Sequence, residues 1–157
     1  MSKKYRLMKS DPDTSGWDDL GAEKRQTTCW DGVRNYQARN LLRDDIQVGD
    51  GVLFYHSSAD PTAVVGIAKV VQAGYPDPSQ FDRRSKYHDP KSSKDAPRWY
   101  AVDIRAEKAL ARPVTLETMR ATPALKKMRL LQRGTRLSVL PVTAAEWRTV
   151  TKLGARS

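Results

Sequence analysis

The amino-acid sequence predicts an α+β domain, with a curved, mostly antiparallel β-barrel of five or six strands and short surrounding helices. The chain has 157 residues, which is the usual size of one domain with one hydrophobic core. β-branched and aromatic residues recur in short runs between polar turns, which is typical of antiparallel sheets. No internal repeat, low-complexity tract or linker divides the sequence, so we expect a single domain over residues 1–157.

Each strand is predicted from a run of β-branched or aromatic residues that is bounded by turn residues. The first run, Tyr5–Met8, ends at the polar turn Ser10–Asp13. A second turn, Val48–Gly51, precedes the strand Val52–His56. The other predicted strands are Ala63–Ala73, the alternating stretch that opens Arg98–Leu110, and Leu137–Val142.

The helices are predicted to be short. The later part of Asp31–Asp44 lacks proline and carries apolar residues at helical spacing. Thr143 and Glu146 form a capping box that begins the last helix. The other predicted helical segments are a turn at Trp17–Leu20 and two short helices within Thr115–Arg133 that are separated by Pro123. Between the strands, Tyr75–Pro97 is predicted to be a long irregular loop, and such loops in compact domains are usually functional or mobile.

The charge of the chain favours a polyanionic partner. Lysine and arginine together number 28 against 18 acidic residues, which gives a formal net charge of +10. The basic residues are spread along the chain, so we expect a folded basic face rather than a disordered basic arm. No run approaches the roughly 18 apolar residues that a membrane span needs, and no apolar stretch follows the first lysines as in a signal peptide. These features predict a soluble cytoplasmic protein, or a nuclear one in a eukaryote, with no membrane partner.

Catalytic and metal sites have little support in the sequence. Cys29 is the single cysteine and the chain has two histidines, which excludes an internal disulfide and makes a structural zinc site implausible. Cys29 with His56 is the one cysteine–histidine combination, and neither residue lies in a glycine-rich elbow. His56, His88 and Asp89 make only a weak metal set. We therefore expect no catalytic residue, no metal and no cofactor.

Aromatic residues beside polar ones are the better candidates for a functional site. Trp30, Tyr55 and Trp99 each stand next to a polar or charged residue, and Tyr100 follows Trp99. An aromatic ring can stack on a single or extruded base while neighbouring polar groups bind the base edge. The same residue types also fill the cores of small barrels, and composition alone leaves both interpretations open.

Several motifs carry a family resemblance. They are Leu7–Asp13 (LMKSDPD), Trp30–Asn40 (WDGVRNYQARN), Phe54–Ser57 (FYHS), Gly66–Ala68 (GIA), Tyr75–Pro78 (YPDP) and Arg136–Val139 (RLSV). In this order and spacing they closely resemble the EVE domain family, over about Lys4 to Leu153. The family pattern has glutamate where this chain has Asp11, which is a conservative difference.

The resemblance implies a PUA-like barrel, related to the YTH domains that read methylated adenine in RNA. It also implies nucleic-acid binding, with modified cytosine in DNA or a methylated base in RNA as the ligand. By the same resemblance, Lys9 and Ser10 are pocket-wall residues, Trp30 is the stacking aromatic and Trp99 is a further wall. The opposite wall is the strand segment Phe54, Tyr55, His56 and Ser57.

Polar side chains near these motifs complete the predicted site. Ser10 and Asn35 are expected to satisfy the base edge, because an unpaired buried polar edge is costly. The predicted phosphate ligands are Arg34, Arg39, Lys69 and Arg98. Three hypotheses remain open at this point: a monomeric module that reads a base, an accessory or enzyme of RNA modification, and a binder of a free base or nucleotide.

Overall fold

The computed structural model describes residues 4–10, 16–22, 24–31, 33–57, 61–132 and 138–155 of the chain. Strands within these ranges form one six-stranded sheet. The strands are β1 (Tyr5–Ser10), β2 (Thr27–Trp30), β3 (Gly51–His56), β4 (Ala63–Pro76), β5 (Tyr100–Thr115) and β6 (Val139–Val142).

The strands lie in the order β2-β5-β4-β3-β1-β6. β1 and β3 run parallel, and the other neighbouring pairs are antiparallel. The predicted α+β class, with a mostly antiparallel sheet of five or six strands, is therefore confirmed. Among the described residues, β2 and β6 are the outer strands, so the sheet does not close on itself there. Bulges in the pairings of β4 with β3 and β5 bend the sheet.

Short helices accompany the sheet, as predicted. They are α1 (Trp17–Ala22), α2 (Tyr36–Asn40), α3 (Leu116–Arg120) and α4 (Ala144–Gly154). α2 continues into a π-helical segment, Leu41–Asp45. Single 3-10 turns occupy Lys24–Gln26, Pro78–Phe81, Pro123–Leu125 and Arg129–Leu131. No helix in the described part of the chain is both long enough and apolar enough to cross a membrane.

Side-chain caps fix where α2 and α4 begin. The Oδ1 atom of Asn35 accepts the backbone N–H of Ala38 at 3.1 Å and caps α2. Thr143 Oγ1 accepts the N–H of Glu146, and the Glu146 carboxylate accepts the N–H of Thr143. This reciprocal pair is the capping box that the sequence predicts for α4.

The structure departs from the local predictions at three places. β2 is an additional strand, and it pairs Trp30 with Val102 of β5. Tyr75 begins the predicted loop but belongs to β4, where it pairs with Ala101. After Pro123 the chain forms 3-10 turns rather than an α-helix, and the proline occupies the first turn, where its missing N–H costs little.

One hydrophobic cluster draws buried residues from β1, β3, β4, β5 and β6 and from all four helices. β2 contributes the partly buried Trp30 to the same cluster. Phe54 is among the largest fully buried side chains, with 1% of its surface exposed. The core therefore reaches the carboxyl end of β3, where the predicted site residues lie.

Candidate nucleic-acid interface

Four rings meet near the carboxyl end of β3. The ring centroid of Phe54 lies 5.4 Å from that of Trp17, 5.8 Å from that of Trp30 and 5.8 Å from that of His56. All three contacts are edge-to-face, the arrangement that aromatic pairs prefer. Trp17, Trp30 and His56 are half-buried, whereas Phe54 is buried. We call these four residues the Phe54 cluster.

Strand geometry places three members of the predicted site on this face. Side chains alternate along a strand, so Phe54 and His56 share one face of β3 and Tyr55 lies on the other. β1 pairs with β3 in parallel register, with Ser10 opposite His56 and Lys9 opposite Tyr55. Ser10 therefore joins the face of the Phe54 cluster, and Lys9 shares the face of Tyr55.

Tyr55 is a core residue, with 4% of its surface exposed. The prediction that it forms part of the pocket wall does not fit its position, since its strand turns it away from Phe54. Lys9 is half-buried on the same face, and burial lowers the pKa of its ammonium group.

Trp17 is the member of the cluster that the sequence-based reasoning missed. Its indole lies flat against β4 because Gly66, which pairs with Phe54, carries no side chain. A Cβ atom on Gly66 would lie 2.5 Å from Cη2 of Trp17. A glycine inside a strand often marks such a close approach, and Gly66 was the available signal.

His56 connects the cluster to α1. Its Nε2 atom accepts the backbone N–H of Trp17 at 3.0 Å. Burial lowers the pKa of the imidazole, while Asp18 and Asp19 oppose that shift. The ring is therefore neutral at pH 7 and carries its proton on Nδ1, because Nε2 is the acceptor.

The last predicted wall residue, Ser57, donates both its N–H and its hydroxyl to the Ser10 carbonyl, at 2.8 and 3.2 Å.

Trp99 belongs to a different aromatic group. Its ring stacks on Tyr36 at 4.8 Å, and the Cζ atom of Arg34 lies 5.2 Å from its centroid. Its Nε1–H donates to Asp89 at 2.7 Å. In the part of the chain that the structure describes, no ring contact joins Trp99 to the Phe54 cluster.

Arg34 is predicted to bind phosphate, but its guanidinium is committed within the protein. Nε and Nη2 donate to the carbonyl of Tyr87 at 3.2 and 2.6 Å. Nη1 donates to the buried carboxylate of Asp77 at 3.1 Å and to the carbonyl of Val33, and Nη2 also reaches Ser79. These contacts use every N–H of the group. Arg34 therefore holds the loop between β4 and β5 in place.

The other predicted polar ligands take varied positions. Asn35 uses its Oδ1 atom as the helix cap, which removes that oxygen from a base edge. Arg39 donates to the carbonyl of Arg98 at 2.8 Å, so these two residues are neighbours. Lys69 lies on β4 with 43% of its side chain exposed, and its ammonium is 3.8 Å from the Glu107 carboxylate. None of these contacts tests phosphate binding by Arg39, Lys69 or Arg98, which stays a prediction.

The one cysteine is poorly suited to nucleophilic chemistry. Burial, more than any other factor, raises the pKa of the Cys29 thiol to about 11. The thiol interacts with the hydroxyl of Tyr75, which in turn donates to Asp103. Cys29 precedes Trp30 on β2, so its side chain points to the opposite face from the Phe54 cluster. Among the described residues, no three His, Cys, Asp or Glu side chains gather as a metal site would require.

Comparison with known proteins decides the family. The model of the EVE domain matches residues 4–153. This chain belongs to the EVE domain family. It is 41% identical to mouse thymocyte nuclear protein 1 over 160 residues, which cover 91% of this chain and 70% of the mouse protein.

Solved structures agree with that assignment. A hypothetical protein from Leishmania major superposes with a TM-score of 0.91 at 40% identity, covering 98% of this chain and 95% of that one. Human THYN1 protein in complex with 5-methylcytosine-containing DNA superposes with a TM-score of 0.90 at 36% identity, with 99% of each chain covered. The YTH domain of Zygosaccharomyces rouxii MRB1 protein, at 14% identity and a TM-score of 0.54, shares the fold. The predicted PUA-like α+β fold is confirmed.

Proposed function

We propose that this EVE domain binds nucleic acid and holds one extruded base, modified or unmodified, against the Phe54 cluster. The observation that carries the proposal is the pair of half-buried indoles, Trp17 and Trp30, that meet on the buried ring of Phe54. Rings in this state can offer a face to a base while their other contacts hold them still. The human neighbour, of whose solved chain 99% is covered by the superposition, was solved in complex with DNA that contains 5-methylcytosine.

Polar groups stand beside these rings. Ser10 lies next to His56 in the strand register. The neutral imidazole carries an N–H on Nδ1, which is a donor of the kind that a base carbonyl requires. In this proposal Trp30, Ser10 and His56 keep the roles predicted from the sequence, Phe54 becomes the floor of the site, and Trp17 is added as a second indole.

The proposed module is a reader rather than an enzyme. A protonated thiol with a pKa of about 11 is a poor nucleophile at neutral pH. A methyl group on the base changes mainly the apolar contact, which is worth about 1–3 kcal/mol. Two indoles are suitable material for a discrimination of that size. Cytoplasmic or nuclear location and a monomeric state stay predictions.

Binding to short oligonucleotides tests the proposal. The probes carry a single cytosine, 5-methylcytosine, 5-hydroxymethylcytosine or N6-methyladenine in an otherwise identical strand. Trp30→Ala should weaken binding of the preferred probe by about five- to 150-fold, the equivalent of one stacking contact of 1–3 kcal/mol. Trp147→Ala is the matched control, since this tryptophan packs on Tyr5 at 4.6 Å and has no ring contact with the cluster among the described residues.

Three results would overturn the proposal. If the unaltered protein and Trp30→Ala bound all probes equally, the proposed base-binding role of the Phe54 cluster would be wrong. Affinity for a free base or nucleotide that is insensitive to salt would favour the small-molecule alternative, because phosphate contacts make affinity fall steeply with salt. Turnover of a nucleic-acid probe that is lost in His56→Ala would favour an enzyme.

A further inference from the structure

Three cations and three aromatic rings form one continuous series of contacts at the loop between β4 and β5. Arg39 lies 5.0 Å from the ring centroid of Tyr36, and Tyr36 stacks on Trp99 at 4.8 Å. Arg34 follows, 5.2 Å from Trp99 and 5.5 Å from Tyr87. Lys86 ends the series, with its ammonium 5.0 Å from the Tyr87 centroid. Each cation–ring pair lies within the roughly 6 Å at which such contacts are attractive.

An open cavity of about 230 Å³ lies at the Lys86 end of this stack. It is lined by Arg34, Lys86, Tyr87, His88, Asp89 and Trp99. Pockets for drug-sized ligands measure about 300–1,000 Å³. This cavity is smaller, so it suits one group of a larger ligand, such as a phosphate.

The walls of the cavity are held rigidly. Gln80 is fully buried, and its Oε1 atom accepts the N–H groups of Arg98 and Trp99 at 3.1 and 3.0 Å. Arg34 binds the Tyr87 carbonyl from the other side. A site that is already ordered loses less conformational entropy when a ligand binds.

Two cations, Arg34 and Lys86, line the cavity together with one carboxylate, Asp89. The carboxylate of Asp89 already accepts the indole N–H of Trp99, the N–H of Lys91 and the hydroxyl of Ser92. In the described ranges no ion pair involves Lys86, whose partner is the uncharged ring of Tyr87. Lys86 is also exposed at the mouth of the cavity, and half-buried His88 adds a second nitrogen donor.

The cavity is close to the Phe54 cluster along the chain. Arg34, in the cavity wall, comes four positions after Trp30, in the cluster. An extended chain of that length spans at most about 14 Å. Along one strand of DNA, where nucleotides rise by about 3.4 Å each, a backbone distance of that length corresponds to about four nucleotides.

We propose that the cavity binds a backbone phosphate of a nucleotide that flanks the base on the Phe54 cluster, with Lys86 as the cation and His88 as a second donor. This inference rests on the proposed function, since it assumes a nucleic-acid strand. Arg34 shapes the cavity without contacting the phosphate, because its N–H groups are already bound.

Salt dependence gives the first test. Lys86→Met and Lys152→Met are compared with the unaltered protein on the same single-stranded probe, since Lys152 is an exposed lysine on α4 and serves as the matched control. Loss of one phosphate contact should reduce the slope of log affinity against log salt by about 0.7 in Lys86→Met. An equal slope in both variants overturns the proposal.

A neutral-phosphate scan gives the second test. One phosphate at a time is replaced by an uncharged methylphosphonate, up to four nucleotides on either side of the read base. One substitution should weaken binding by the unaltered protein and leave Lys86→Met unaffected, whereas additive losses at every position overturn the proposal. If Lys86→Met abolishes the effect of one neutral phosphate while the protein binds every base equally, only the proposal of base recognition fails. If the protein distinguishes the bases but Lys86→Met changes the effect of no phosphate, only the proposal of a phosphate in the cavity fails.

Discussion

Replacing Gly66 by alanine tests whether the Trp17 indole lies on β4 as described. The new Cβ atom would be 2.5–2.6 Å from three ring atoms of Trp17. Since ordinary contact begins near 3.4 Å, the indole has to move by about 1 Å or the strand has to bend. Overpacking of this kind costs about 1–3 kcal/mol. In a chain of this size, that lowers the melting temperature by about 2–12 °C.

The direction of the stability change in Gly66→Ala distinguishes a clash with Trp17 from the ordinary effect of alanine in a strand. Gly66 has no positive φ, so alanine meets no backbone strain there. Without the indole, Gly→Ala in a strand should stabilise the protein by about 0.5–1 kcal/mol. Gly21→Ala is the control, because no atom lies within 4 Å of its added Cβ, and it should stabilise α1 by a similar amount.

Chemical denaturation and probe binding measure the outcome. Gly66→Ala should lose stability and also bind the preferred oligonucleotide more weakly, since Trp17 is displaced from Phe54. In the background of Trp17→Ala, the same substitution should cost nothing further. A Gly66→Ala protein that is more stable than the unaltered one would refute this placement of Trp17.

Two further predictions concern the residues that support the site. His56 accepts a hydrogen bond in its neutral form, and its pKa is below the ordinary 6.5 in the folded state, so stability should be complete above about pH 6.5 and fall as the pH decreases below it. Denaturation at several pH values checks this. His56→Gln should reduce the loss of stability at low pH, whereas the control His88→Gln should retain that loss. Arg34→Met removes the cation that pairs with the fully buried carboxylate of Asp77 and should cost about 3–5 kcal/mol in urea unfolding. Arg34→Lys should restore little of this, because one ammonium cannot replace five N–H bonds, and a Lys variant of full stability would contradict the role.

The sequence was informative wherever the signal is local. The capping box of Thr143 and Glu146, the apolar run of β3 and the β-branched run of β4 depend on neighbours in the chain, and these elements formed where expected. Asn35 could have been assigned by the same logic. An asparagine directly before a helix is a strong capping residue, and that role competes with the reading of a base edge.

Non-local contacts could not be predicted from the sequence. Nothing in a four-residue run such as Thr27–Trp30 predicts that it pairs with β5, and the parallel pairing of β1 with β3 follows from the whole topology. The faces of β3 were decided by that register, which placed Tyr55 in the core and His56 in the cluster. The position of Trp99 was also not predictable, since its partners Tyr36 and Asp89 come from other segments of the chain.

Gln80 gives the long loop an unusual dependence on one amide. Its side chain accepts two backbone N–H groups, and its Nε2 atom donates to the carbonyls of Asp77 and Trp99 at 2.8 Å. These are the bonds that an adjacent strand would make, so a single carboxamide stands in for a missing neighbour just before β5. The N–H groups of Arg98 and Trp99 are thereby hydrogen-bonded although these two residues lie outside the sheet.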